Sequence, residues 1–206
     1  MRKSLLLFLA LVAGVVTCAA DNNEKCSKCA AQCAGAKDSS PNAACIVDNI
    51  MSRRSIRKYS ERRVSRDTLD IILECGINAP NGMNKQNYEV RVVDDPASVA
   101  YLAANVKGLY QAPVYVFIAA GDSYDMSRID CGLFSANICL AAKAFGLGSI
   151  NLGGPVRSLK DNPELLAKLG FSDHYDLCLA LALGYADEQP EARPRNKDKV
   201  QFVTFK

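Results

Sequence analysis

Two groups of arginines stand near opposite ends of the sequence. Arg53-Arg54-Ser55-Ile56-Arg57-Lys58-Tyr59 opens a basic stretch that continues through Arg62, Arg63 and Arg66, and Arg193-Pro194-Arg195 follows the turn-forming Glu188-Gln189-Pro190. A guanidinium is a planar fork of N–H donors that stays charged, so paired forks suit a phosphate. A basic run alone is usually a solvated face, and this one gains meaning from the second cluster. Two further segments lie between them. Ala79-Pro80-Asn81-Gly82-Met83-Asn84-Lys85-Gln86-Asn87-Tyr88 carries side-chain amides that donate and accept at once, which suits the edge of a heterocycle bearing both C=O and N–H groups. Gly146-Leu147-Gly148-Ser149-Ile150-Asn151-Leu152-Gly153-Gly154-Pro155 ends in paired glycines, where a flat ligand can approach backbone N–H groups. Each of these two segments also has a plain structural reading, as a turn and as a helix C-cap.

Other residues narrow the chemistry by their scarcity. His174 is the single histidine, which excludes HExxH and three-histidine zinc sites, and it lies in the polar turn Gly170-Phe171-Ser172-Asp173-His174-Tyr175. A net charge of +3 over 206 residues is too mild to argue for nucleic acid. With 49% hydrophobic and 23% charged residues the composition is that of an ordinary globular domain. No Gly-x-Gly-x-x-Gly follows a strand pattern, so no separate dinucleotide domain is expected.

The elements that must position these residues are legible from about Ala43 onward, in about 160 residues, enough to bury about 70% of the unfolded surface. A first helix is expected from Ala44 into Arg53, and Ser65 is a candidate N-cap for a second with Leu69, Ile72 and Leu73 on its apolar stripe. Glu89–Val93 alternates like a half-buried strand, and Asp94-Asp95-Pro96 ends it and opens a helix to Asn105. Val114–Ala120 and Leu177–Leu183 are continuous apolar runs, which imply a sheet covered on both faces. Cys131–Phe145 is apolar nearly all round, with Leu133, Ala136, Leu140 and Ala144 on one stripe and Phe134, Ile138, Ala141 and Phe145 on another. A domain this small has little room to bury one helix completely, so part of its surface is expected to meet a second subunit. Cys131, Cys139 and Cys178 fall in these core elements as small apolar fillers.

Taken together and in this order, the segments resemble the nitroreductase family of FMN-dependent oxidoreductases. The resemblance covers about residues 47 to 206. It runs from Arg-Arg-Ser-x-Arg at 53 to 57, through Ala-Pro-x-x-x-Asn-x-Gln at 79 to 86, the Asp130–Ala142 helix, Gly-Leu-Gly-Ser at 146 to 149 and Leu-Gly-Tyr at 183 to 185, to the terminal Arg-x-Arg. Asn87 stands where the family often has Pro, and Asn81 where Ser is common. The resemblance implies an α+β fold of three α/β/α layers, a central mixed sheet flanked by helices, and an intertwined homodimer with FMN at the interface. Carried over by position, Arg53, Ser55 and Arg195 would hold the FMN phosphate with Arg193 assisting, Arg54 would also belong to the cofactor site, and Arg57 would lie toward the N1 and O2 side of the ring. Asn81, Asn84 and Gln86 would contact the ribityl chain and ring edge from the other subunit, with Gly82 also in the cofactor site, and backbone groups of Leu152, Gly153 and Gly154 would face the ring near N5. A ping-pong reaction from NAD(P)H to a nitroaromatic, quinone or enone is implied, with no catalytic residue beyond the cofactor ligands. A flavin-binding protein without turnover is the alternative from another class; a basic anion- or nucleic-acid-binding module, resting on Arg53 to Arg66 alone, is a third.

The N-terminus has another character. Met1-Arg2-Lys3, the apolar run Leu5–Val16 and Val15-Val16-Thr17-Cys18 read as a secretory signal over residues 1–17, and the ending resembles a bacterial lipoprotein box with Cys18 as the lipidated residue. Residues 18–42 read as a tether carrying Cys26-x-x-Cys29-x-x-x-Cys33, with Cys45 beyond it, better suited to disulfides in an exported protein than to a metal site. Export conflicts with a cytosolic nicotinamide donor, so a different physiological donor is also compatible with the sequence.

Overall fold

The computed structural model describes residues 42–205. The expected leader, Cys18, and Cys26, Cys29 and Cys33 lie outside the described residues. The chain divides into two units at Asp48/Asn49, inside helix α1 (Ala43–Ser52). Of the first unit the described part is the opening of that helix, where Ile46 N–H donates to Asn42 O at 3.1 Å. The remaining elements belong to the second unit.

Helix α2 (Arg66–Ile77) begins where Ser65 Oγ accepts from Thr68 N–H, the cap expected from the sequence. Strand β1 (Tyr88–Val93) leads into helix α3 (Pro96–Asn105), whose N-cap Asp95 accepts from Ser98 N–H at 2.9 Å. Strand β2 (Val114–Gly121), helix α4 (Ser127–Ala144) and strand β3 (Gly148–Leu152) follow. Short helices α5 (Gly154–Lys160) and α6 (Pro163–Ala167) precede strand β4 (Tyr175–Gly184).

The strands form one sheet in the order β1-β2-β4-β3. All three pairings are antiparallel, and the parallel contribution expected of a mixed sheet is confined to the isolated bridge between Ser55 and Ser149. Every residue of β2 is buried, as a continuous apolar run between two layers requires. Its side chains alternate between two cores. Val114, Val116, Ile118 and Ala120 meet Leu69 and Ile72 of α2 and Phe134 and Ile138 of α4, whereas Tyr115 and Phe117 meet Leu102 of α3, Leu159 of α5 and Leu165 of α6. The result is the three-layer α/β/α arrangement, with the period of two in β2 dividing one strand between two hydrophobic layers.

Helix α4 starts at Ser127, one turn before the apolar pattern does, because Ser127 Oγ donates to Tyr124 O at 2.6 Å and the polar residues there close the entering turn. Among the described residues, one face of it is covered and another is exposed. Cys131, Phe134, Ile138, Cys139 and Ala142 are buried, while Ile129 is 53% and Leu133 40% exposed. Among the described residues no helix is long and apolar enough to cross a membrane.

Candidate functional site

The site is assembled by a short extended segment, residues 55 to 60, that touches two distant parts of the chain. At one end Ile56 N–H donates to Ser149 O at 3.1 Å, beside the parallel bridge to β3. At the other end Tyr59 bridges Ala186, Ser60 N–H donates to Tyr185 O at 2.9 Å, and Asp187 N–H donates to Lys58 O at 2.9 Å. Glu188 closes the junction. Its carboxylate accepts from Arg57 N–H and, at 3.2 Å, from Lys58 N–H. Beneath, Tyr59 donates its hydroxyl proton to Ile56 O at 2.7 Å, and burial holds that phenol well above the ordinary range.

This clasp joins the two arginine clusters. Arg53, Arg54, Ser55, Arg57, Pro190, Glu191, Arg193 and Arg195 line a single cavity of about 230 Å³. Five guanidiniums therefore face one carboxylate. Arg54 is partly committed, because its Nη1 donates to Met51 O at 2.8 Å and Arg53 O at 3.0 Å and so caps the end of α1. Arg57 Nη1 donates to Ser55 O at 3.3 Å. Among the described residues no acceptor meets the side chains of Arg53, Arg193 or Arg195. Ser52 Oγ, just before this wall, is buried without a hydrogen-bond partner among the described residues. Guanidiniums that outnumber the single carboxylate and keep unmet donor capacity are what a polyanion requires.

The amide loop is built separately. Asn81, Gly82, Asn84 and Gln86 do not line the arginine cavity. Met83, Asn84 and Gln86 have left-handed backbones, with φ of 53°, 52° and 49°, a conformation uncommon for residues other than glycine. The loop's amides hold it in that shape. Asn81 Oδ1 accepts from Gln86 N–H at 3.0 Å, and Gln86 Nε2 donates to Asn84 Oδ1 at 3.3 Å. Asp130 on α4, 4% exposed, accepts from Gly82 N–H with both oxygens at 3.2 and 3.3 Å. A Cβ at Gly82 would lie 2.0 Å from the Tyr124 hydroxyl, so any side chain there requires that ring to move aside. Asn87 also serves the fold, since it donates to Ser127 Oγ at 2.8 Å and its amide covers Gly121.

The glycine segment forms the edge of the sheet. Leu152 ends β3 with its side chain in the second core, and Gly153 and Gly154 open α5. Gly153 has an ordinary helical backbone, φ −89° and ψ −30°, and a Cβ there would meet nothing closer than 3.8 Å. Neither conformation nor packing among the described residues requires glycine at 153, and the residue is exposed, although its carbonyl accepts from Arg157 N–H at 3.3 Å. These three residues also stand outside the arginine cavity.

Three contributors were not legible from the sequence. Glu188 carried no signal beyond its turn, although it binds a segment 131 positions away. Asp130 was visible only as part of a helix, and a lone acid in a largely apolar pattern is the signal that could have found it. Tyr124 has no motif. His174 is a turn residue, as expected: its ring is exposed, its φ is 70°, and Nδ1 lies 3.1 Å from Asp122 Oδ2.

Residues 45–205 match the family model described as "Putative TM nitroreductase". A protein of Methanothermobacter thermautotrophicus named "Putative NADH dehydrogenase/NAD(P)H nitroreductase" is 30% identical over 161 residues, covering 72% of this chain and 81% of that protein. A Bacillus subtilis protein named FMN reductase (NAD(P)H) is 26% identical over 176 residues, covering 73% of this chain and 69% of its own length. The crystal structure of a nitroreductase with bound FMN from Desulfitobacterium hafniense aligns with a TM-score of 0.67 at 26% identity, covering 77% of this chain and 98% of that one. With its fold, its convergent arginines and a family match spanning most of its length, the chain belongs to the nitroreductase family.

Proposed function

We propose that the protein is an FMN-dependent NAD(P)H oxidoreductase, with the flavin phosphate held in the arginine cavity. The observation that carries this reading is the meeting of Arg53, Arg54, Ser55, Arg57, Arg193 and Arg195 around one cavity, with three of the guanidiniums lacking an acceptor among the described residues. The cavity's donor set matches the dianionic end of FMN, and the relatives include an FMN reductase and a structure with bound FMN. When bound, the flavin supplies a reversible two-electron carrier. The chain's own residues then have simple roles. Arg53, Arg193 and Arg195 neutralise the phosphate, Glu188 keeps both walls of the cavity together, and exposed Gly153, after the buried end of β3, offers backbone to a flat ring. Reduction by NAD(P)H and reoxidation by a nitroaromatic, quinone or enone would alternate in one slot, which is ping-pong turnover.

The active form would be a homodimer. The uncovered stripe of α4 contains Ile129, Leu133 and Ala136, and the C-terminal residues Val200, Phe202, Val203 and Phe205 are all exposed, Phe202 fully. Apolar surface of this kind marks an association site. Gly132 lies on that stripe with open space around it, so Gly132→Leu should leave the protomer folded and shift sedimentation toward monomer. The leader and Cys18 further support a lipid-anchored protein of a bacterial envelope, which intact mass of the membrane-extracted protein would test.

The decisive experiment is rapid mixing of the FMN-loaded protein with NADH or NADPH. Saturable bleaching of the flavin absorbance, followed by recovery on adding a quinone, is expected. Stoichiometric FMN that neither nucleotide reduces would overturn the enzyme reading in favour of a flavin-binding protein without turnover.

A further inference from the structure

Strand β3 carries a polar face that starts at the arginine cavity and ends beside a separate guanidinium. Ile150 and Leu152 pack in the second core, so by strand alternation Ser149 and Asn151 point the other way, toward α4. The parallel bridge joins Ser149 to Ser55, which lines the cavity. Asn151 is exposed, and its Oδ1 accepts from Oγ of buried Ser135 on α4 at 2.6 Å. From Ser149 to Gly153 the chain advances about 13 Å at the ordinary rise of a strand. A five-carbon chain and part of a fused ring cover such a distance. With a flavin phosphate in the cavity, the outer end of this face therefore belongs to the ring and to whatever stacks on it.

Arg157 occupies that outer end. It stands one turn beyond Gly153 on α5, and the turn is closed by Gly153 O accepting from Arg157 N–H at 3.3 Å. Its guanidinium folds back toward the glycine, with Nη1 3.8 Å from the point a Cβ at 153 would occupy. Both residues are exposed. A side chain at 153 would fill the gap between the guanidinium and the end of the strand, and glycine keeps it open. Arg157 also differs from other arginines outside the cavity. Arg66, Arg91 and Arg128 each reach a carboxylate, whereas among the described residues the Arg157 side chain has neither a hydrogen bond nor an ion pair. Asp161, the acid one turn further on, meets Arg157 only through its backbone N–H, which donates to Arg157 O at 3.0 Å.

We propose that Arg157 selects the acceptor by receiving the carboxylate of a flat, electron-poor aromatic acid that lies beside Gly153. The inference rests on the flavin reading and names the substrate class of that same site. One guanidinium meets one planar carboxylate with two parallel N–H···O bonds, which fixes the orientation of the acid as well as its charge. A nucleotide diphosphate carries more charge than a single fork can match, and the cluster suited to a dianion is already assigned to the cofactor.

The test compares 4-nitrobenzoate with 4-nitrobenzamide, which share their shape and differ in charge, as ligands of the oxidised FMN-loaded protein with no nicotinamide donor present. Each Kd is read from the flavin difference spectrum. The wild type should bind the acid about tenfold or more tighter than the amide. Arg157→Gln should bind the two alike, and Arg157→Lys should keep part of the preference, with FMN content and circular dichroism the same in all three proteins. Equal affinity for acid and amide in the wild type, or measurable binding of neither, overturns the proposal. So does a preference for the acid that survives in Arg157→Gln, and if that variant has lost affinity for NADP+ instead, the guanidinium serves the nucleotide. Protein that takes up no FMN overturns the flavin reading together with this one; FMN-loaded protein that ignores the carboxylate overturns this one alone.

Discussion

The arginine cavity and the amide loop contrast in how far the chain satisfies its own polar groups. The cavity draws Arg53 to Arg57 and Pro190 to Arg195 from regions more than a hundred residues apart, and three of its guanidiniums have no acceptor among the described residues. The loop from Asn81 to Asn87 is local, and its amides bond mainly to one another, to Asp130 and to Ser127. One region therefore holds binding capacity in reserve, whereas the other has committed its capacity to a strained backbone shape. Affinity for an anion should reside in the first, and the second should matter through its conformation more than through its amide side chains.

The largest expected effect tests the reserve directly. Each charge-assisted hydrogen bond is worth about 1.5–3 kcal/mol, so Arg53→Ala or Arg195→Ala should weaken FMN binding by about tenfold or more, and the pair by about a hundredfold or more. Melting of the apoprotein should barely change. Equal FMN occupancy in the double variant would place the phosphate elsewhere.

Next comes the clasp that creates the cavity. Glu188→Ala leaves the N–H groups of Arg57 and Lys58 without their acceptor, which should cost about 1–3 kcal/mol by denaturant unfolding and weaken FMN binding as well. Full FMN affinity in a destabilised variant would show that the two walls are held together without it.

Two loop substitutions separate backbone shape from side chain. Gly82→Ala forces the Tyr124 ring aside and should cost about 1–3 kcal/mol, whereas Asn84→Gly, which removes the amide and adopts the left-handed backbone without strain, should stay within about 1 kcal/mol. If Asn84→Gly loses flavin as strongly as Gly82→Ala does, the side-chain amide itself is a ligand and the contrast between cavity and loop fails.

The smallest effect lies outside both regions. The hydrogen bond from Ser172, opposed by burial and aided by Arg91, holds Glu89 below the ordinary carboxylate range. A depressed folded-state pKa contributes stability above the unfolded value and loses it as pH falls through the folded one. Glu89→Gln should therefore flatten the acid limb of the melting curve while leaving flavin binding at neutral pH unchanged. A parallel acid limb in the variant would mean that Glu89 has no part in acid stability.

Much of this architecture is written in local sequence. Ser65 and Asp95 cap their helices by bonding N–H groups three residues on, α3 spans the residues that its proline and capping acid predict, and the apolar run of β2 fixes it as an inner strand. Both arginine clusters and the paired glycines were visible by composition alone. Glu188, Asp130 and Tyr124 were not, because each acts on a residue far away in sequence and has no local pattern of its own. Nor could the register shift by which Leu179 pairs with Ile118 while Leu177 pairs with Ala119 be read from an unbroken apolar run, since register is a property of two strands.

By itself, then, the sequence determined which segments become helix or strand and where the charged and amide-bearing groups lie along the chain. Periodicity, capping and apolar burial act over a few residues and leave their mark in those residues. Only the tertiary structure decided that Glu188 would fasten residues 57 and 58, that arginines from both ends would share one cavity, and that β4 would shift register against β2 between Leu177 and Leu179. Those outcomes depend on strand order, register and long-range closure, in which a group's partner is chosen by the packing of the whole domain rather than by its neighbours in the chain.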